Sequence, residues 1–206
     1  MQAVWANLRT LSLVLQPQDM QVGAECGYLS KWISSLQSLQ TLNYKFIQNR
    51  RGDDTLALPE LSAWNDRLKN IRLKSSSIDG ADLTPMALQE LIRPHHATLR
   101  HLQINAVNLK SEGISLLTGG DGDGDMYHWR RAFGMFVNKL HLESLRFKDL
   151  IAQPSSVQLY FVWPTEFYER DSEAVKCGLL RLAENGLRLV EKRSDLVDLS
   201  DARNAR

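Results

Sequence analysis

Five histidines, His95, His96, His101, His128 and His141, carry most of the side-chain chemistry this chain can offer. Imidazole is the commonest metal ligand and the usual general base near neutral pH. A metal centre or a catalytic base also needs partners at a workable spacing. The intervals between these histidines match no helical metal pattern, and no carboxylate is placed beside them to orient a base. His95 and His96 follow Pro94 in a link between elements, where exposed polar residues are expected. Gly-x-Ser-x-Gly, P-loop and dinucleotide-binding glycine patterns do not occur, and Ser75 to Ser77 read as a short loop. Asp121, Asp123 and Asp125 imitate positions 1, 3 and 5 of a calcium loop, but Met126 replaces the glycine at position 6 and Ala132 the glutamate at position 12. That acidic stretch therefore reads as a solvated insertion. Cys26 and Cys177 form neither a disulfide framework nor a Cys-x-x-Cys pair, and both read as small buried side chains in a reduced compartment. The sequence assigns no catalytic residue, no metal ligand and no cofactor.

The elements that would position such groups announce themselves by repetition. Leu-x-x-Leu-x-apolar occurs five times, as Leu8-Leu11-Leu13, Leu39-Leu42-Tyr44, Leu68-Ile71-Leu73, Leu99-Leu102-Ile104 and Leu142-Leu145-Phe147. The central apolar residues are 31, 29, 31 and 43 residues apart. A period near thirty marks a stacked repeat. Alternation inside each copy predicts a short strand. The stretches before the strands carry helical stripes: residues 27–36, 58–68, 126–140 and a helix opened by Thr84-Pro85 and closed by Pro94. Parallel strands need crossovers, and these helices supply them. The predicted fold is α/β: a short irregular leucine-rich-repeat-like solenoid, with parallel strands on the concave face and helices on the convex face.

The long fourth interval places an insertion at residues 111–125. After Leu150 the pattern stops. Val157–Val162 reads as a strand, Ser172–Glu184 as a helix capped by Ser172, and Leu187–Glu191 as a last strand. The expected organisation is a repeat region over 1–150, a capping segment over 151–193 and a polar tail over 194–206. Few residues precede the first strand, so the chain reads as the C-terminal part of a longer architecture. The start lacks a cationic region and a cleavage site, and no apolar run reaches the roughly 20 residues of a membrane span. A cytoplasmic or nuclear location without membrane association follows as the expectation.

Three stretches, TPMALQELIRPHHATLRHLQINAVN (84–108), WRRAFGMF (129–136) and LHLESLRFKDL (140–150), resemble the repeat region of fungal F-box-type leucine-rich-repeat proteins. The likeness covers roughly residues 5–150. It implies a substrate-recognition role in a ubiquitin ligase, where an F-box binds a Skp-type adaptor and the repeats face the target. No F-box segment precedes the first repeat, so an adaptor enters only if that segment lies outside this chain. The repeat also lacks the asparagine ladder of the family, having Gln16, Ile47, Ser76 and Val107 at that position.

If the leucines point inward, the alternate residues face out. They are Thr10, Ser12, Val14; Thr41, Asn43, Lys45; Asn70, Arg72, Lys74; His101, Gln103, Asn105; and Ser144, Arg146, Lys148. None is acidic, although acids nearly equal bases in the chain, 24 against 25. Lys45, Arg72, Lys74, His101, Gln103, Asn105, Arg146 and Lys148 are the candidate partner-binding residues, and the expected partner is a protein with an acidic or polar surface. A net charge of +1 and the lack of aromatics interleaved with the bases argue against nucleic acid. The expected function is a non-catalytic protein-interaction module. The alternatives are a degenerate or partial paralogue without recruitment activity, and a hydrolase-like or metal-dependent enzyme.

Overall fold

A computed structural model describes residues 5, 7–15, 24–47, 66, 68–110, 123–155, 158–186 and 188–191. It is a mixed α/β structure whose strand pairings are mostly parallel. Among the described residues the first sheet has six strands, in the order β1 (Thr10–Leu15), β2 (Thr41–Phe46), β3 (Ser75–Asp79), β5 (His101–Asn105), β7 (Ser144–Lys148) and β10 (Glu166–Glu169). Its first five strands are parallel, and β10 closes it antiparallel to β7. The second sheet runs β11 (Arg188–Glu191), β9 (Gln158–Trp163), β8 (Ile151–Ser155), β6 (Asn108–Lys110) and β4 (Asp82–Leu83). The α-helices whose two ends are described are α1 (Ala24–Ser34), α2 (Pro85–Ile92), α3 (Asp123–Lys139) and α4 (Ser172–Arg181).

Alternation decides which side of the first sheet is buried. Leu42, Tyr44 and Phe46 of β2 face the core, as do Ile78 of β3, Leu102 and Ile104 of β5, and Leu145 and Phe147 of β7. Register sets them in two columns, one running Leu11, Leu42, Ser76, Leu102 and Leu145, the other Leu13, Tyr44, Ile78, Ile104 and Phe147. Each such aliphatic or aromatic side chain contributes about 2 kcal/mol when fully withdrawn from water. An aromatic stack ties helix to sheet: Phe133 of α3 lies 5.4 Å from Phe147, and Phe147 lies 5.0 Å from Phe167 of β10. Trp129 is fully buried on α3, and its Nε1–H donates to the Ile151 carbonyl of β8 at 3.0 Å.

Three strands of the first sheet, β3, β5 and β7, pass into the second through a corner. Gly80, Ala106 and Asp149 occupy the same place between β3 and β4, β5 and β6, and β7 and β8, and all three have positive φ, 72°, 47° and 52°. Their amides donate along one line, to Asn105 O (3.1 Å), Lys148 O (2.9 Å) and Thr165 O (2.7 Å). The next residues, Ala81, Val107 and Leu150, are buried.

Several expectations need correction. The third strand lies at Ser75–Asp79, not at Ile71–Leu73. Leu73 is the first leucine of its copy, equivalent to Leu39, Leu99 and Leu142, and Ser76 takes the central leucine's place. Ser76 is buried there because its hydroxyl donates to the Leu42 carbonyl at 3.1 Å. The return loops contain the short strands of the second sheet. Helix α3 starts at Asp123, so the end of the expected insertion is helical, while residues 111–122 lie outside the described residues. The cap of α4 is Asp171, whose Oδ1 accepts from the amides of Glu173 and Ala174 at 2.9 and 3.2 Å. Thr84 caps α2 as expected, accepting from Ala87 N at 3.1 Å. The break expected after residue 150 falls at the corner between β7 and β8, and both sheets continue across it. Of the helix expected at 58–68, only Asp66 and Leu68 are described, both helical, and the tail 194–206 lies outside the described residues.

The corner makes a paired prediction. A Cβ on Gly80 would sit 2.7 Å from the Phe46 carbonyl oxygen, at a left-handed φ. Gly80→Ala is expected to lower unfolding free energy by about 2 kcal/mol. Ala106→Gly relieves left-handed strain at some cost in backbone entropy, for a net gain of about 0.5 kcal/mol. Urea denaturation of both variants measures the signs, and an unharmed Gly80→Ala would remove the corner argument.

Candidate functional site

The exposed side of the first sheet is the surface on which most of the candidate binding residues meet. Three rows cross it from β1 to β7. One runs Thr10, Thr41, Ser75, His101 and Ser144. The middle row runs Ser12, Asn43, Ser77, Gln103 and Arg146 and continues onto Tyr168 of β10. The third runs Val14, Lys45, Asp79, Asn105 and Lys148 and continues onto Glu166.

Six of the eight expected residues, Lys45, His101, Gln103, Asn105, Arg146 and Lys148, therefore share this face. Arg72 and Lys74 precede β3 and are not in its ladder. Both are exposed. Lys74 lies in the column at the strand entrances: its amide donates to Gln40 O at 2.8 Å, and its carbonyl accepts from Arg100 N at 2.8 Å. The true occupants of the third rung are Ser75, Ser77 and Asp79. The face consequently carries acids, Asp79 between Lys45 and Asn105, and Glu166 beside Lys148. The five-residue displacement of β3 hid them, and Tyr168 and Glu166 were invisible because the sequence pattern gives no strand at 166–169.

Polar contacts run across the rows. Asn43 Nδ2 donates to Ser12 Oγ at 3.1 Å, and His101 Nδ1 is hydrogen-bonded to Ser144 Oγ at 2.9 Å. Arg146 Nη2 donates to Glu166 Oε1 at 3.0 Å. Tyr168, 48% exposed, has Arg146 and Arg170 against its ring at 6.0 and 5.2 Å, and Arg170 Nε donates to its hydroxyl. Asn105 Oδ1 is buried without a hydrogen-bond partner among the described residues. The result is a stripe of hydroxyls and amides, with mixed charge along one side and an arginine–tyrosine cluster at the β10 end.

The remaining chemistry is dispersed. Among the described residues no group of three His, Cys, Asp or Glu side chains is arranged to hold a metal ion. His96 and His141 are exposed, and the His128 side chain lies outside the described residues. His95 is buried, against expectation. Cys177 is exposed on α4, also against expectation, and the Cys26 side chain lies outside the described residues. No helix of the described residues is long and apolar enough to cross a membrane. No family model and no curated protein matches this sequence.

His95 is 3% exposed, its Nδ1–H donates to the Ile71 carbonyl at 3.0 Å, and Nε2 has no hydrogen-bond partner among the described residues. Burial pushes its pKa down to about 4, opposed in part by the bond to Ile71. The unfolded chain takes up this proton near pH 6.5 and the folded chain only near 4, so stability present at neutral pH falls as pH drops through that window. The expected loss is about 3 kcal/mol by pH 4. His95→Asn keeps a donor for Ile71 and has no proton to gain, so its urea midpoint should fall less steeply between pH 6.5 and 4. An identical slope in both proteins would exclude His95 as the titrating group.

Proposed function

We propose that this chain is a non-catalytic protein-interaction module: a short leucine-rich-repeat-like solenoid that presents the exposed side of its first sheet to a protein partner. The observation that carries the reading is the in-register ladder of polar side chains from five successive parallel strands. Such a face offers hydrogen-bonding groups at fixed spacing while the inward residues hold the stack. Ser77 and Gln103 mark its centre. Tyr168 and Arg146 belong to the residue types that dominate binding energy at interfaces. The partner is polar, with acidic groups toward Lys148 and Arg170 and a basic group toward Asp79. A role as the substrate-recognition region of an F-box-type ubiquitin-ligase receptor rests on the resemblance of residues 84–108, 129–136 and 140–150 and needs a Skp-type adaptor bound through a segment outside this chain.

A second reading has one observation in its favour. The His101–Ser144 hydrogen bond has the reach of a base–nucleophile pair, the minimum for a hydrolase-like site. Labelling by a fluorophosphonate probe that disappears in Ser144→Ala would select it.

The interaction reading is tested by affinity capture from cell extract. Gln103→Arg with Arg146→Glu is expected to reduce recovery of the wild-type partners at least about tenfold, whereas Arg72→Glu, off the ladder, leaves recovery unchanged. The opposite ranking would move the binding site away from the sheet. Recovery of cullin-ligase subunits in the same capture tests the receptor role.

A further inference from the structure

On the opposite side of the molecule, the C-terminal ends of α2 and α3 enclose a groove of about 400 Å³. Its floor is apolar: Ile92 and Leu140 are buried and Met135 is half-buried. Its rim holds Arg93 and Lys139. We propose that this groove binds a small amphipathic anion, a carboxylate carried on a short aliphatic or aromatic body.

The size falls in the range of pockets that enclose a small organic ligand. Arg93 is the C-cap of α2, and Lys139 is the last residue of α3. Helix C-termini attract cations, so both charges are held at the rim before any ligand arrives. His96 Nδ1–H donates to the Arg93 carbonyl at 2.8 Å, fixing the imidazole beside them. Glu90, one turn before the Pro94 link, contacts Arg93 Nη2 through Oε2 at 2.8 Å. Arg131 lies one turn before Met135 on the same helix, so the local balance is positive. The helix ends offset part of that charge, which makes electrostatics alone insufficient for a bare anion. The apolar floor must contribute, and this combination selects an anion with an apolar body. The Met135 side chain, flexible and polarizable, can adjust to ligands of differing shape.

Methyl NMR on protein labelled at methionine tests this, with octanoate as the probe below its micelle concentration and acetate and octylammonium as controls. Octanoate is expected to shift the Met135 methyl resonance saturably, while acetate and octylammonium at the same concentration leave it in place. Arg93→Glu with Lys139→Glu should weaken octanoate at least about tenfold. Asn138→Trp, which fills the groove from its exposed rim, should abolish the shift without disturbing the core. Equal shifts from octylammonium, undiminished affinity in the charge-reversed protein, or octanoate shifts that spare Met135 would each overturn the proposal. None of these residues lies on the first sheet, so either outcome leaves the interaction reading to its own test.

Discussion

The two-sheet arrangement depends on one backbone constraint, the left-handed corner repeated at Gly80, Ala106 and Asp149. Each corner turns the chain out of the first sheet and directs the following residue, Ala81, Val107 or Leu150, into the core. The amide freed by the turn is not lost to the interior, because it donates to the carbonyl beside it in the next rung. A buried amide without a partner would cost about 1–3 kcal/mol, so alignment of successive corners is strongly favoured. Aligned corners in turn fix the strand register on both sides. The rows of the exposed face are therefore set by the corners as much as by the leucines.

That dependence explains what the sequence disclosed and what it concealed. Leu39, Leu99 and Leu142, each three residues before a central inward leucine, are legible by spacing alone, and so are β1, β2, β5 and β7. The third copy misleads because Ile71 and Leu73 imitate strand alternation while lying in the link, where both are buried. The true central position carries Ser76, a residue that apolar periodicity cannot find. Its burial depends on a hydrogen bond to Leu42 O from a strand 34 residues earlier in the chain. Short strands such as Asp82–Leu83 leave no periodic trace, since two residues cannot alternate. The strand Glu166–Glu169 owes its place to pairing with β7, which is a tertiary property.

The functional consequence is a change in the character of the face. Moving the third rung from Asn70, Arg72 and Lys74 to Ser75, Ser77 and Asp79 removes two bases and adds an acid in the outer row. Of the bases that remain on the described face, Lys45 and Lys148 stand with Asp79 and Glu166 in one mixed-charge margin, and Arg146 ends the middle row beside Tyr168. Specificity on such a surface comes from matched hydrogen bonds across the hydroxyl and amide rows, with charge complementarity setting orientation. The amphipathic groove between α2 and α3 faces away from that surface chemistry and uses helix ends instead of strands.

The composition of the face depends on where β3 lies, and cysteine bridging measures this directly. In a background with Cys26 and Cys177 replaced by serine, Ser77→Cys with Gln103→Cys places two thiols at directly paired positions of β3 and β5. A short bis-alkylating thiol reagent is expected to join this pair rapidly in the folded protein, and to join Arg72→Cys with Gln103→Cys far more slowly. Rapid joining of the Arg72 pair in preference to the Ser77 pair would contradict the register and, with it, the proposed interaction surface.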